Sequence, residues 1–149
     1  MKAVIQRVSK ASVSVDHEII GSIDRGLMIL LGVDREDNEN DLDYLVKKIT
    51  GMRIFEDDQE KMNLALADVG GSLLIISQFT LLASTKKGNR PSFTQAGPPE
   101  MSKALYEQFI ARCRALGFTV EHGQFGAHME VSLVNDGPVT IVMDSRDRG

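Results

Sequence analysis

The chain reads as a single α+β domain, with a mainly antiparallel, barrel-like β-sheet and two main helices. Three observations predict this. Strand-length apolar or alternating runs cluster at both ends of the sequence, over residues 4–33 and 118–143. Two segments between them carry the 3.6-residue period of amphipathic helices. The 149 residues hold no internal repeat, low-complexity stretch or linker, so the elements are assigned to one unit spanning 1–149. Periodicity does not fix whether the sheet closes.

Residues 4–15 alternate in part, with Val13 and Val15 on one face and Ser12 and Ser14 on the other, the pattern of a strand. Asp16-His17 is a turn, and 18–23 a second strand that ends near Gly26. Residues 27–33 are almost uniformly apolar, as expected of a strand buried on both faces. The period then changes. Leu42, Leu45, Val46, Ile49 and Met52 place one apolar stripe on a helix over about 38–50, capped by Asp37 or Asn38, with Lys47 and Lys48 near its end. Residues 53–55 form a short strand and 57–59 a turn. Gly70-Gly71 precedes a buried strand over 73–76 that runs into Ser77. Residues 83–98 are a polar loop punctuated by Gly and Pro, and a loop of that length in a compact domain is often functional. Pro98-Pro99 starts the second helix, with Met101, Leu105, Phe109 and Cys113 at i+4 spacing and Gly117 just past its end. Strands follow at 118–121 and 129–134, and a tight inter-strand turn at Gly137-Pro138 leads to another over 139–143. The polar tail, 144–149, is expected to be mobile.

Composition narrows the function. Hydrophobic residues are 42% and charged residues 26%, ordinary for a globular protein. The net charge of -4, from 17 basic and 21 acidic residues, argues against a broad phosphate-neutralising surface and against DNA as partner. An RNA contact would be local or end-on. Cys113 is the one cysteine, so no intramolecular disulfide forms, which suits a reducing cytoplasm. No apolar run approaches the ~18 residues of a membrane helix, and residues 1–7 lack a signal-peptide core.

Two segments carry the chemistry. Ser77-Gln78-Phe79-Thr80 sits where a buried strand exits, a platform for unpaired backbone N–H groups that can stabilise the oxyanion formed when water attacks an ester. The plainer reading is a satisfied strand terminus with Phe79 in the core. Thr80 is a nucleophile only with an oriented base beside it, and none of His17, His122 and His128 sits in a pattern that pairs with it. Neither H-E-x-x-H nor C-x-x-C occurs, so no metal and no cofactor are expected. Gly137-Pro138 presents backbone with little side chain, and the tertiary amide lowers the trans preference to about 0.5–1 kcal/mol, so a cis bond is tolerated there. Lys86, Lys87 and Arg90 concentrate positive charge in a loop that either holds a phosphate or 3′ end or is simply solvated. Arg53, with Lys61-Met62-Asn63, is a weaker basic element. Phe125 and Ala127, followed by Met129, either line a pocket or pack in the core.

Together these residues resemble the D-aminoacyl-tRNA deacylases, a chiral-proofreading family. The resemblance spans essentially the whole chain. It runs through Gln6-Arg7-Val8, Met52-Arg53-Ile54-Phe55 with Lys61-Met62-Asn63, Ser77 to Leu81, Arg90-Pro91-Ser92-Phe93, Phe125-Gly126-Ala127 with Met129, and Asn135 to Thr140. Neither signature, at 77–81 or 135–140, departs from the family pattern. The resemblance implies a homodimer whose sites lie at the subunit interface, Ser77 to Thr80 of one subunit meeting Gly137-Pro138 of the other. It implies hydrolysis of the ester joining a D-amino acid, or glycine, to the 3′ end of tRNA, with L-aminoacyl-tRNA rejected. Two alternatives stand beside it: a non-catalytic module gripping RNA 3′ ends through 86–90, and a small esterase using Thr80 and His128. Against the first, aromatic residues are only 5% and tryptophan is absent, where single-strand binders offer stacking platforms.

Overall fold

The computed structural model describes residues 1–147. Strand β1 (Lys2–Val15) is the backbone of the architecture. Asp16 and His17 reverse it at φ of 50° and 66°, the left-handed pair of a two-residue hairpin turn, into β2 (Glu18–Ile23). β2 pairs with the second half of β1, and β3 (Gly26–Gly32) pairs antiparallel with its first half. Helix α1 (Glu39–Gly51) and a small hairpin of β4 (Phe55–Glu56) and β5 (Met62–Leu64) then lead to β6 (Ser72–Ser77). Helix α2 (Pro99–Ala115) leads to β7 (Val120–His122), and β8 (Glu130–Asp144) lies along β1.

The sheet is therefore mixed. β1 pairs antiparallel with β2, β3 and β8, but β3–β6 and β6–β7 are parallel. Each parallel pair is joined by a crossover that carries a helix, the connection parallel strands require. Burial follows from this. β3 and β6 are covered on both faces, so 27–31 and 73–76 read as uniform apolar runs. Leu27, Ile29, Leu73 and Ile75 face the helices and pack with Leu42, Leu45, Ile49, Phe109 and Cys113. Met28, Leu74 and Ile76 face the other way and join Val8, Val13 and Ile23 in a second core inside the curled sheet. Curling brings β2 against β7, where a Cβ on Gly21 would lie 3.0 Å from the His122 carbonyl oxygen.

Strands β1 and β8 serve both cores. Ala3 and Ile5, with Val139, Ile141 and Met143, belong to the first; Val8, Ala11 and Val13, with Val131 and Leu133, belong to the second. The switch coincides with register irregularities, because an odd residue in one strand turns all later side chains to the opposite face.

The helices follow the sequence closely. Asn38 caps α1 in a reciprocal box with Asp41. Asp37, the other cap candidate, is instead buried against the Met1 amino group at 2.7 Å. Pro99 opens α2 and Gly117 follows it at φ 97°. Other expectations are corrected. The strands expected at 129–134 and 139–143 are one strand, β8, and Gly137-Pro138 is an excursion within it, not a turn between strands. The strand expected at 53–55 starts at Phe55, and that at 118–121 at Val120. The tail is anchored as far as Asp147: Ser145 donates to the Met1 carbonyl and to Asp41, and Arg146 lies 3.4 Å from Asp34, Glu36 and Asp37. Residues 148–149 lie outside the described residues.

Gly26 begins β3 in register with Ser72 of β6, and a Cβ there would overlap the Ser72 backbone. Backbone cannot swing aside as a side chain does. Gly26→Ala should lower stability by about 1–3 kcal/mol, read as a shifted urea midpoint, the range of overpacked cores.

Candidate active site

The C-terminal end of β6 carries the first group of candidate residues. Ser77 pairs with Leu31 of β3, and Gln78 N–H donates to the Leu31 carbonyl at 2.8 Å, so the ladder holds the chain until it turns. Residues Phe79–Leu82 then make one 3-10 turn. The turn sits hard against Gly32: a Cβ there would lie 2.7 Å from Leu82 Cδ2 and 3.0 Å from the Gln78 carbonyl oxygen. No side chain caps the turn at Gln78, so Phe79 and Thr80, its first two residues, have no intrahelical acceptor for their N–H groups. Thr80 Oγ1 accepts a hydrogen bond from Gln78 Nε2 at 2.9 Å. An amide is not a base, and no histidine or carboxylate bonds Thr80 among the described residues.

Phe79 is not core. It is 57% exposed and meets Phe93 edge-on, ring centroids 5.1 Å apart. Phe93 belongs to the loop 83–98, whose ends are tied: Ser84 and Ser92 exchange backbone hydrogen bonds at 2.8 Å, and Arg35 N–H donates to the Gln95 carbonyl. The tied loop projects Lys86, Lys87 and Arg90, all exposed, from the neighbourhood of the Phe79 turn.

The structure brings Phe125 and Met129 to the same end of β6. Tyr106 donates to the Ile75 carbonyl at 2.8 Å and its ring lies 6.0 Å from that of Phe125. Met129 packs over Gly123 beside Ile76. Ala127 is half-buried in the turn between them. Two open concavities, of about 480 and 910 Å³, lie elsewhere, one at 36–41 with 145–146 and one between α2 and β7, and Phe125 lines the edge of the second. Neither includes Ser77 to Thr80.

Gly137-Pro138 is the part the structure keeps apart. Ser77 aligns with Leu31, Ala3 and Met143 across β6, β3, β1 and β8, whereas Arg7, opposite the excursion, aligns with Leu27 and Leu73. Three strand steps and four residue rows separate the two segments, roughly 14 Å across the sheet and roughly 13 Å along it. The Gly137-Pro138 peptide is cis, both residues are exposed, and Gly137 has φ of 136°.

What braces the excursion is Arg7, a residue outside the two candidate segments. Thr140 pairs with Gln6 and Asn135 with Val8, so four residues of β8 stand opposite Arg7 alone. Its side chain is 5% exposed. Nε donates to the Asp136 carbonyl at 3.0 Å and Nη1 to the Ile54 carbonyl at 2.7 Å, while the carboxylates of Glu56 and Asp136 lie 3.6 Å away. A Cβ on Gly137 would stand 3.1 Å from Arg7 Nη2.

The remaining candidates are set aside or constrained. Arg53 is exposed but bonds back to Asn63 of β5 through its backbone carbonyl at 2.8 Å and its side-chain amide. Cys113 is fully buried and burial pushes its thiol up to about 12, so it is no nucleophile. His122 contacts the Gly123 carbonyl at 2.6 Å, and His17 sits in the first hairpin turn. No group of three or more metal-ligating side chains comes together among the described residues, and no helix there is long and apolar enough to cross a membrane.

The family model described as D-Tyr-tRNA(Tyr) deacylase matches residues 4–144. The chain belongs to this deacylase family. It is 53% identical to a D-aminoacyl-tRNA deacylase of Thermosipho africanus, over 98% of both chains. It is 56% identical to one of Koribacter versatilis over 98% of each, and 59% identical to one of Shewanella sp. (strain W3-18-1) over 94% of this chain and 97% of that one. A solved structure titled c-Myc DNA Unwinding Element Binding Protein is 41% identical, with a TM-score of 0.91 over 97% of this chain and 98% of that one. A probable eukaryotic D-amino acid tRNA deacylase, 20% identical with a TM-score of 0.79 over 95% and 97%, shares the fold. The D-aminoacyl-tRNA deacylases are hydrolases of ester bonds, and this chain is one of them.

Within the deacylase fold, Arg7 is a buried cation satisfied largely by carbonyls. Arg7→Leu should lower stability by about 1.5–3 kcal/mol, the worth of hydrogen bonds to a charged group, in a urea titration.

Proposed function

We propose that this deacylase hydrolyses D-aminoacyl-tRNA and glycyl-tRNA, and rejects L-aminoacyl-tRNA, at a site shared by two subunits of a homodimer. The observation that carries the proposal is the separation of the two motifs. Gly137-Pro138 is exposed on the excursion and too far along and across the sheet to meet Ser77 to Thr80 of its own chain. A second copy supplies the meeting. The outer edge of β8 has no strand partner among the described residues, and Val134 and Val142 on that strand are 44% and 74% exposed. An open, apolar edge of this kind favours pairing with another chain.

In the assembled site the substrate ester lies over the 3-10 turn. The Phe79 and Thr80 N–H groups receive the charge that develops on the carbonyl oxygen, each such donor being worth about 10²–10³ in rate. Water attacks, helped by the neighbouring ribose 2′-OH. This accounts for a threonine whose hydroxyl meets an amide and no base. Ser77 anchors the strand end, and the Gln78 side-chain oxygen is left to hold the terminal adenosine. Gly137-Pro138 occupies the space an L side chain would need, so discrimination is by clash and demands no affinity for the D side chain. Phe125, Ala127 and Met129 wall the substrate side. Lys86, Lys87 and Arg90, with Arg53 as a weaker contributor, hold the 3′-terminal phosphates. The partner is tRNA in the cytoplasm, with no cofactor. Duplex DNA is disfavoured by the net charge of -4.

The deciding assay is release of labelled amino acid from matched D-aminoacyl-, L-aminoacyl- and glycyl-tRNA in the presence of chelator. Release of D-amino acid and glycine with the L ester untouched supports the reading; bound but intact tRNA in every case returns the protein to the 3′-end binding module. Thr80→Ala should retain most activity, against the ~10⁶-fold loss that follows removal of a true nucleophile, and a trapped acyl-Thr80 would overturn the mechanism. A substrate ending in 2′-deoxyadenosine should react roughly 10²–10⁴-fold more slowly.

A further inference from the structure

The excursion has a neck as well as a brace. Asn135 and Thr140 are the last and first β8 residues in register with β1 on either side of it. Their side chains meet across the opening, Asn135 Nδ2 donating to Thr140 Oγ1 at 3.1 Å. The same Asn135 side chain accepts from Val139 N–H through Oδ1 at 3.0 Å, so it satisfies the returning backbone that the ladder has lost. Gln6 Nε2 donates to Thr140 Oγ1 at 3.3 Å and ties the neck to β1. The neck and the Arg7 brace act on different parts: Arg7 holds the outgoing limb at Asp136, and Asn135 holds the returning limb at Val139.

From this geometry we infer that Asn135, linked to Gln6 through Thr140, is a positioning residue for chiral selection: it sets how far and in what direction Gly137-Pro138 projects. The inference rests on the filter reading above. Asn135 touches no substrate. It acts through the backbone of Val139, directly after Pro138. A filter that works by exclusion needs its atoms held within a fraction of an ångström. A neck that closes the excursion at its base supplies that restraint without placing a side chain in the filter.

The test measures kcat and KM separately for D- and L-aminoacyl-tRNA with Asn135→Ala, Asn135→Asp and Gly137→Ala, and records each variant's melting temperature. Asn135→Asp keeps the acceptor for Val139 N–H, and the Thr140 hydroxyl can rotate to donate to the new carboxylate. It should therefore keep the wild-type ratio of D to L. Asn135→Ala loses both bonds, and its ratio should fall by roughly ten- to a hundredfold, the penalty of an ångström-scale misplacement, mainly through faster turnover of the L substrate. If Asn135→Ala slows both substrates equally, the residue is only structural and the inference is overturned. It is overturned too if Asn135→Asp loses selectivity as completely as Asn135→Ala does. Gly137→Ala separates this failure from that of the filter itself. Unchanged rates for both substrates in Gly137→Ala would overturn the filter reading and the inference with it. A changed ratio there beside an unchanged one in Asn135→Ala would overturn the inference alone.

Discussion

Much of this molecule depends on one mismatch: four residues of β8 stand opposite a single residue of β1, and that residue is Arg7. A ladder cannot absorb three extra residues, so they must leave the sheet, and the space beneath them needs a filler with hydrogen bonds to give. A guanidinium suits it because its planar fork reaches two carbonyls on separate segments, at Ile54 and Asp136. Burying a charge is costly unless its donors are satisfied. Here the carbonyls do most of that work, because the carboxylates of Glu56 and Asp136 lie farther off and are half exposed. The same place is where β1 and β8 change faces between the two cores. The irregularity that exposes Gly137-Pro138 is thus also part of what lets one pair of long strands serve both layers.

The segment proposed to hold the reacting ester has a different origin. β3 and β6 are parallel and end side by side, which leaves Ser77 and the turn after it at an open sheet end. Gly32 lets the turn press against β3, and the Gln78 N–H bond to Leu31 fixes where the ladder stops. The chemistry offered there is backbone chemistry. Two N–H groups without intrahelical partners and a threonine hydroxyl that faces an amide suit oxyanion stabilisation and suit nucleophilic attack poorly.

Sequence made some of this legible and hid the rest for physical reasons. The runs at 27–33 and 73–76 show their burial because both faces are covered, and the helices show theirs through spacing and caps. Strand partners are not a local property, so the parallel pairings lay outside what alternation could show. Gly-Pro normally ends a strand, which split β8 in two; the ladder resumes after the excursion because Thr140 regains register. The anchored tail was hidden because its partners, Asp34, Asp37 and Asp41, lie more than a hundred residues away. The plainer reading of Phe79 as core fails, because its ring is exposed and its partner Phe93 is in a loop. The sequence does carry a signal for Arg7. Alternation places it on the same face as Ala3 and Ile5, both buried, and a lone arginine on a core-facing row asks what it is holding.

A filter of the proposed kind reverses the usual relation between site and scaffold. Where side chains select by attraction, their own rotamers set the accuracy, and distant residues matter little. Selection by exclusion with glycine and proline has no rotamers to adjust, so its accuracy is that of the backbone path. That path is fixed by groups outside the filter: the Ile54 carbonyl that seats Arg7, Arg7 on Asp136, and the bonds that close the excursion at its base. The selectivity of such a site should therefore be spread over residues that never meet the substrate. The groups proposed to take charge in the reaction, on the turn after Ser77, sit on a different part of the fold. Rate and selectivity would then be separable by mutation, the one following the β6 turn and the other following the β1–β8 mismatch.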